Sequence, residues 1–91
     1  MTKPRLSAEE HQQLGLRLAA IRDELLHLGT DLMNAYPKYG PEAVPARRLT
    51  AAYEAVDQAR CELDNLMFRE HPRQGETTFY YPQTEDRAYR R

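Results

Sequence analysis

The chain of 91 residues is long enough for one small domain, and its 14 acidic and 13 basic side chains give a formal net charge of -1. This balance gives no reason, from bulk charge, to expect nucleic acid or an anionic membrane as a partner. A single cysteine, Cys61, excludes an intrachain disulfide and predicts a reducing, cytoplasmic location. The longest apolar run, Leu18 to Ile21, predicts no membrane-spanning segment.

The first predicted helix spans residues 7–35 and follows an N-terminal extension over residues 1–6. Ser7 with Glu10 three positions later is typical of a capping box. Large aliphatic side chains then recur at alternating spacings of four and three, which predicts one apolar helix face. Pro37 ends the helix, because the residue before a proline disfavours the helical conformation.

A loop over residues 36–44 leads to a second predicted helix over residues 45–70. Pro45 suits the first helical position, and an earlier start at Pro41 is the alternative. Apolar residues again alternate in spacing between three and four. Two helices joined by a short loop run antiparallel, so the fold class is all-α, with a helical hairpin over residues 7–71.

An isolated hairpin buries too little apolar area to offset the conformational entropy lost on folding. Leu26, Met33 and Tyr53 also widen the apolar stripes beyond what one partner helix covers. We therefore expect a homodimer in which two hairpins form a four-helix bundle with coiled-coil-like packing. Its core and dimer contacts come from a set of residues that we call the aliphatic face: Leu14, Leu18, Ile21, Leu25, Leu28, Leu32, Leu49, Val56, Leu63 and Leu66.

Residues 72–91 differ in character and predict an extended tail rich in aromatic residues and arginines. The run from Phe79 to Tyr81 has β-strand propensity but no strand with which to pair. We expect these aromatics to dock near Phe68 on the second helix or on another protein. The candidate partner-binding residues are therefore Phe68, Phe79, Tyr80, Tyr81 and Tyr89.

A Glu-x-x-His pair on the first helix, Glu24 and His27, matches the ligand spacing of metal-binding four-helix bundles, and Glu62 could add a carboxylate. Both residues fall at the edge of the aliphatic face, so a solvated helix surface is the preferred interpretation. We expect no metal, no cofactor and no catalytic residue. Cys61 is interpreted as a partly exposed helix cysteine.

Arginines interleaved with aromatic residues can contact phosphates and stack on bases. The candidates for such a role open the second helix or crowd the C-terminus: Arg47, Arg48, Arg87, Arg90 and Arg91. The sequence thus predicts a non-catalytic protein–protein interaction or regulatory module. A DNA-associated accessory protein is the first alternative and a metal-binding bundle the second.

Overall fold

A computed structural model of the chain describes residues 5–83 and confirms the all-α helical hairpin. Helix α1 spans Ala8–Ala35 and helix α2 spans Val44–Glu70. The helices are antiparallel, since His11 near the start of α1 contacts Glu70 at the end of α2. Halfway along, Arg22 pairs with Asp57.

Helix α1 begins with the capping box that the sequence predicts. The Glu10 backbone N–H donates to Ser7 Oγ at 3.1 Å, and the Ser7 N–H donates to Glu10 Oε1 at 2.9 Å. The bond from the Ser7 backbone lowers the pKa of Glu10, because it stabilises the carboxylate form. At the other end Tyr36 is extended, as expected for a residue that precedes a proline.

The connection between the helices contains a short 3-10 helix, Pro41–Ala43, which leads directly into α2. Pro45 lies in the first turn of α2, where its missing N–H leaves no helical hydrogen bond unmade. Helix α2 ends at Glu70, and its C-cap residue His71 stands immediately before Pro72.

The segment after α2 turns back onto the hairpin instead of extending away from it. A turn closes when the Gly75 N–H donates to the His71 carbonyl at 2.8 Å. A second short 3-10 helix, Thr77–Phe79, then lies against α1. We call residues 76–82 the return segment.

The buried core lies at one end of the hairpin, where the return segment meets both helices. Met67, Phe79 and Tyr80 form its centre, and partly buried apolar residues surround them: Ala8, Leu14, Leu18, Leu63 and Phe68. The radius of gyration is 16.0 Å, whereas a compact domain of this length has about 12 Å. The hairpin is therefore a flat, elongated unit with a small core. Within residues 5–83, no helix has the length and hydropathy of a membrane span.

Candidate functional site

The aliphatic face is only partly covered by the chain itself. On α1, Ile21 and Leu28 are 44% and 45% exposed, and the other four residues of the face are half-buried. On α2, all four residues of the face are half-buried. No member of the face is fully buried in the single chain.

The buried stripe of α1 consists instead of His11, Gly15, Ala19 and Gly29. This stripe lies about a quarter turn around the helix from the leucines. Small residues allow α2 and the return segment to approach closely there: Leu49 Cβ lies 3.8 Å from the point where a Gly29 Cβ would stand. The leucines of the aliphatic face on α1 therefore lie at the edge of the contact between the two helices.

The two rows of the aliphatic face come together at the end of the hairpin that holds the core. Leu14 and Leu18 of α1 and Leu63 of α2 all pack against the buried core cluster, so the rows meet at that end. The return segment also lies beside Leu16 of α1, with which Thr78 and Pro82 line a cleft. The core cluster therefore covers one end of the aliphatic face, and the face is open around Ile21 and Leu28 in the middle of α1.

The predicted partner-binding aromatics are placed mainly inside the chain. Phe79 and Tyr80 are buried in the core cluster, and Phe68 packs against that cluster. Docking near Phe68 is one of the two arrangements expected from the sequence, and a partner-binding role for these aromatics stays a prediction. Tyr81 remains partly exposed, and Arg60 Cζ lies 4.7 Å from the centroid of its ring. Tyr89 lies outside the described residues.

Arg60 fastens the return segment to α2. Its Nε and Nη2 donate to the Tyr80 carbonyl at 2.9 and 2.6 Å, and its Nη1 donates to Asp57 Oδ1 at 2.9 Å. Asp57 also pairs with Arg22 of α1 at 3.4 Å. A buried charge needs such partners to offset its lost hydration. Arg60 therefore links the return segment and α2 to α1 through one network.

Two glycines permit this close packing. A Cβ on Gly15 would overlap the Phe79 carbonyl group, and a Cβ on Gly75 would overlap the Met67 side chain. The neighbour that Gly15 admits is the backbone of the return segment. Glycine is required at position 15 because a backbone carbonyl cannot move aside as a side chain can.

Asp64 is the one described residue with a buried side-chain oxygen, Oδ1, that lacks a hydrogen-bond partner. Burial raises the pKa of Asp64 above its usual value of 3.8. The stability linked to a raised carboxyl pKa is present below the unfolded pKa and is lost as the pH rises through the folded pKa.

We therefore expect Asp64→Asn to increase the free energy of unfolding at pH 7 and to leave it unchanged at pH 3. Urea denaturation at both pH values measures the difference. Glu62→Gln, at an exposed position two residues earlier, is the matched control and should change neither value. An equal gain for Asp64→Asn at both pH values would contradict the assignment.

A cluster of polar side chains closes the end of the hairpin beside the core. His11 is fully buried, with Nδ1 hydrogen-bonded to the Tyr80 hydroxyl at 2.6 Å and Nε2 to Glu70 Oε1 at 3.0 Å. His71 Nε2 donates to the Leu6 carbonyl at 2.7 Å. Burial, together with the nearby carboxylates, raises the pKa of Tyr80 to about 12. The Tyr80 phenol therefore remains protonated at neutral pH.

The structure brings together potential metal ligands other than the Glu-x-x-His pair. Among residues 5–83, one group of at least three His, Cys, Asp or Glu brings its ligand atoms within 4.8 Å of one another, namely His11, Glu70 and His71. Glu24 and Glu62 are exposed and His27 is half-buried, and they form no such group within one chain.

The remaining candidates lie at the surface or beyond the described residues. Arg47 and Arg48 are exposed in the first turns of α2, and Arg47 lines a cleft with Met33 and Lys38. Cys61 is exposed on α2. The C-terminal candidates Arg87, Arg90 and Arg91 fall outside residues 5–83.

Sequence reasoning missed His11, Arg60 and Glu70 as members of a site. One signal was present: His11, Gly15 and Ala19 recur every four residues and mark a second stripe on α1. Comparison with known proteins finds no matching family model, no significantly similar curated protein and no significantly similar solved structure. The site is therefore interpreted from its own geometry.

Proposed function

We propose that this protein is a small, non-catalytic protein–protein interaction module that works as a homodimer. The aliphatic face of one hairpin packs against the same face of a second copy and forms a four-helix bundle. The observation that supports this most strongly is the exposure of Ile21 and Leu28 in the middle of α1, within a face whose other eight residues are half-buried. Apolar patches of this kind favour association in water.

The side of the hairpin that carries the aliphatic face is large enough for a stable dimer. Each helix is about 40 Å long and two packed helices are about 20 Å across, so one whole side of the hairpin has a footprint of about 800 Å². This is the area that each partner contributes to a standard protein–protein interface. The occupant is a second copy because two identical apolar faces of equal length complement each other about a twofold axis and close the assembly.

Substituting a glutamate at the centre of the aliphatic face tests the proposal. In the dimer, Ile21→Glu or Leu28→Glu buries one carboxylate from each copy in an apolar interface, so we expect dimerisation to weaken by about 100-fold or more. Light scattering would then show the mass falling from twice 10.6 kDa to 10.6 kDa at micromolar concentration.

Tyr39→Glu is the matched control, since Tyr39 lies in the connection between the helices and is 82% exposed. It adds the same charge outside the aliphatic face, so its mass should remain that of the dimer. A dimer that survives both Ile21→Glu and Leu28→Glu would show that the interface lies elsewhere.

A further inference from the structure

His11, Glu70 and His71 come from positions that are distant in sequence and meet at one end of the hairpin. His11 lies in the first turns of α1, Glu70 is the last residue of α2, and His71 is its C-cap. One potential ligand atom from each lies within 4.8 Å of the others. A modest side-chain adjustment would bring all three to the spacing of ligands around a single ion.

Each imidazole already has one ring nitrogen held by another group. His71 Nε2 donates to the Leu6 carbonyl at 2.7 Å, which leaves the lone pair on Nδ1. His11 Nδ1 bonds to the Tyr80 hydroxyl, and its Nε2 faces the Glu70 carboxylate at 3.0 Å. Metal-binding histidines are commonly oriented in this way, with the second nitrogen hydrogen-bonded to a carbonyl or another polar group.

We propose that His11, Glu70 and His71 bind one divalent transition-metal ion of the zinc class, with water as the fourth ligand. Two imidazole nitrogens and one carboxylate oxygen form a donor set that suits Zn²⁺. Binding requires the His11 tautomer with its proton on Nδ1, which then donates to the Tyr80 oxygen. The ion replaces the bond between His11 Nε2 and Glu70.

The environment of Glu70 sets how tightly the ion binds. Arg5 Nε lies 3.9 Å from Glu70 Oε2, and the Arg5 side chain is largely exposed. Its positive charge competes with a cation for the same carboxylate, so removing it should strengthen binding. The bound ion would connect both helices directly and would reach the return segment through Tyr80. Folding and metal binding are therefore expected to be coupled.

The test uses the full chain without an affinity tag, after treatment with a chelator. We expect calorimetry to show one Zn²⁺ bound per chain, and Co²⁺ to give the visible absorption bands of a tetrahedral site. Excess Zn²⁺ should raise the melting temperature, because a ligand that binds only the folded state stabilises it. Arg5→Gln should bind Zn²⁺ more tightly than the unchanged chain.

His71→Ala should lower the Zn²⁺ affinity by about tenfold or more. Glu70→Gln should also lower it, and this substitution preserves the shape of the side chain. His27→Ala is the matched control, since it removes the third histidine, which lies outside the cluster. Circular dichroism verifies that each variant remains helical. No Zn²⁺ binding by the unchanged chain, or unchanged affinity in both ligand variants, would overturn the proposal and leave the cluster as a hydrogen-bonded clamp.

Discussion

Gly15→Ala is expected to displace the return segment from α1 and to lower the free energy of unfolding by about 3 kcal/mol. The new Cβ would overlap the Phe79 carbonyl oxygen and carbon, and its next neighbour is Tyr80 Cα. All three are backbone atoms, so no side chain can rotate away. The segment must move as a whole, and Phe79 and Tyr80 then lose their buried contacts.

Gly29→Ala is the matched control, because it makes the same change on the same buried stripe of α1. The added Cβ at position 29 would lie 3.8 Å from Leu49 Cβ, which is an ordinary van der Waals distance. Alanine also has a higher helix propensity than glycine, so this variant should gain stability, by up to about 1 kcal/mol. Chemical denaturation followed by circular dichroism measures both variants. Equal effects at the two positions would contradict the described packing.

Arg60→Ala is the second substitution with a large expected effect, a loss of about 3 kcal/mol. It removes both donors to the buried Tyr80 carbonyl and leaves Asp57 without one of its two arginine partners. Arg48→Ala, at an exposed position on the same helix, should change stability by less than about 0.5 kcal/mol. Thermal unfolding of the two variants at pH 7 measures the contrast.

The two losses should not add, because Gly15→Ala and Arg60→Ala both disrupt docking of the return segment. Once that segment has moved away from α1, the Tyr80 carbonyl reaches water and no longer depends on Arg60. A double-mutant cycle should therefore give a combined loss clearly smaller than the sum. A fully additive cycle would show that Arg60 and Gly15 act on separate parts of the fold.

The all-α hairpin could be predicted because its signals are local. Ser7 with Glu10 specifies the start of α1, and Pro37 and Pro72 stand just beyond the two helix ends. Heptad spacing also identifies the aliphatic face. It cannot tell whether that face meets the second helix of the same chain or remains open, because both arrangements need the same periodicity.

The return segment and the polar cluster could not be predicted, because they depend on contacts between distant residues. The need for glycine at position 15 becomes visible only when the Phe79 carbonyl is known to lie against it. A buried arginine is rare, and nothing next to Arg60 in sequence indicates that Tyr80 will supply its partner. The aromatic run at 79–81 predicts docking near Phe68 or on another protein, but it does not predict the contact with Gly15 of α1.

The aliphatic face gives the central claim its most direct test, the mass of the unaltered chain in solution. Sedimentation equilibrium from low to high micromolar concentration should give twice 10.6 kDa, with dissociation only on dilution. The melting temperature should rise with concentration over the same range, since folding and association are coupled. A mass of 10.6 kDa at every concentration, with full helicity and a constant melting temperature, would contradict the account.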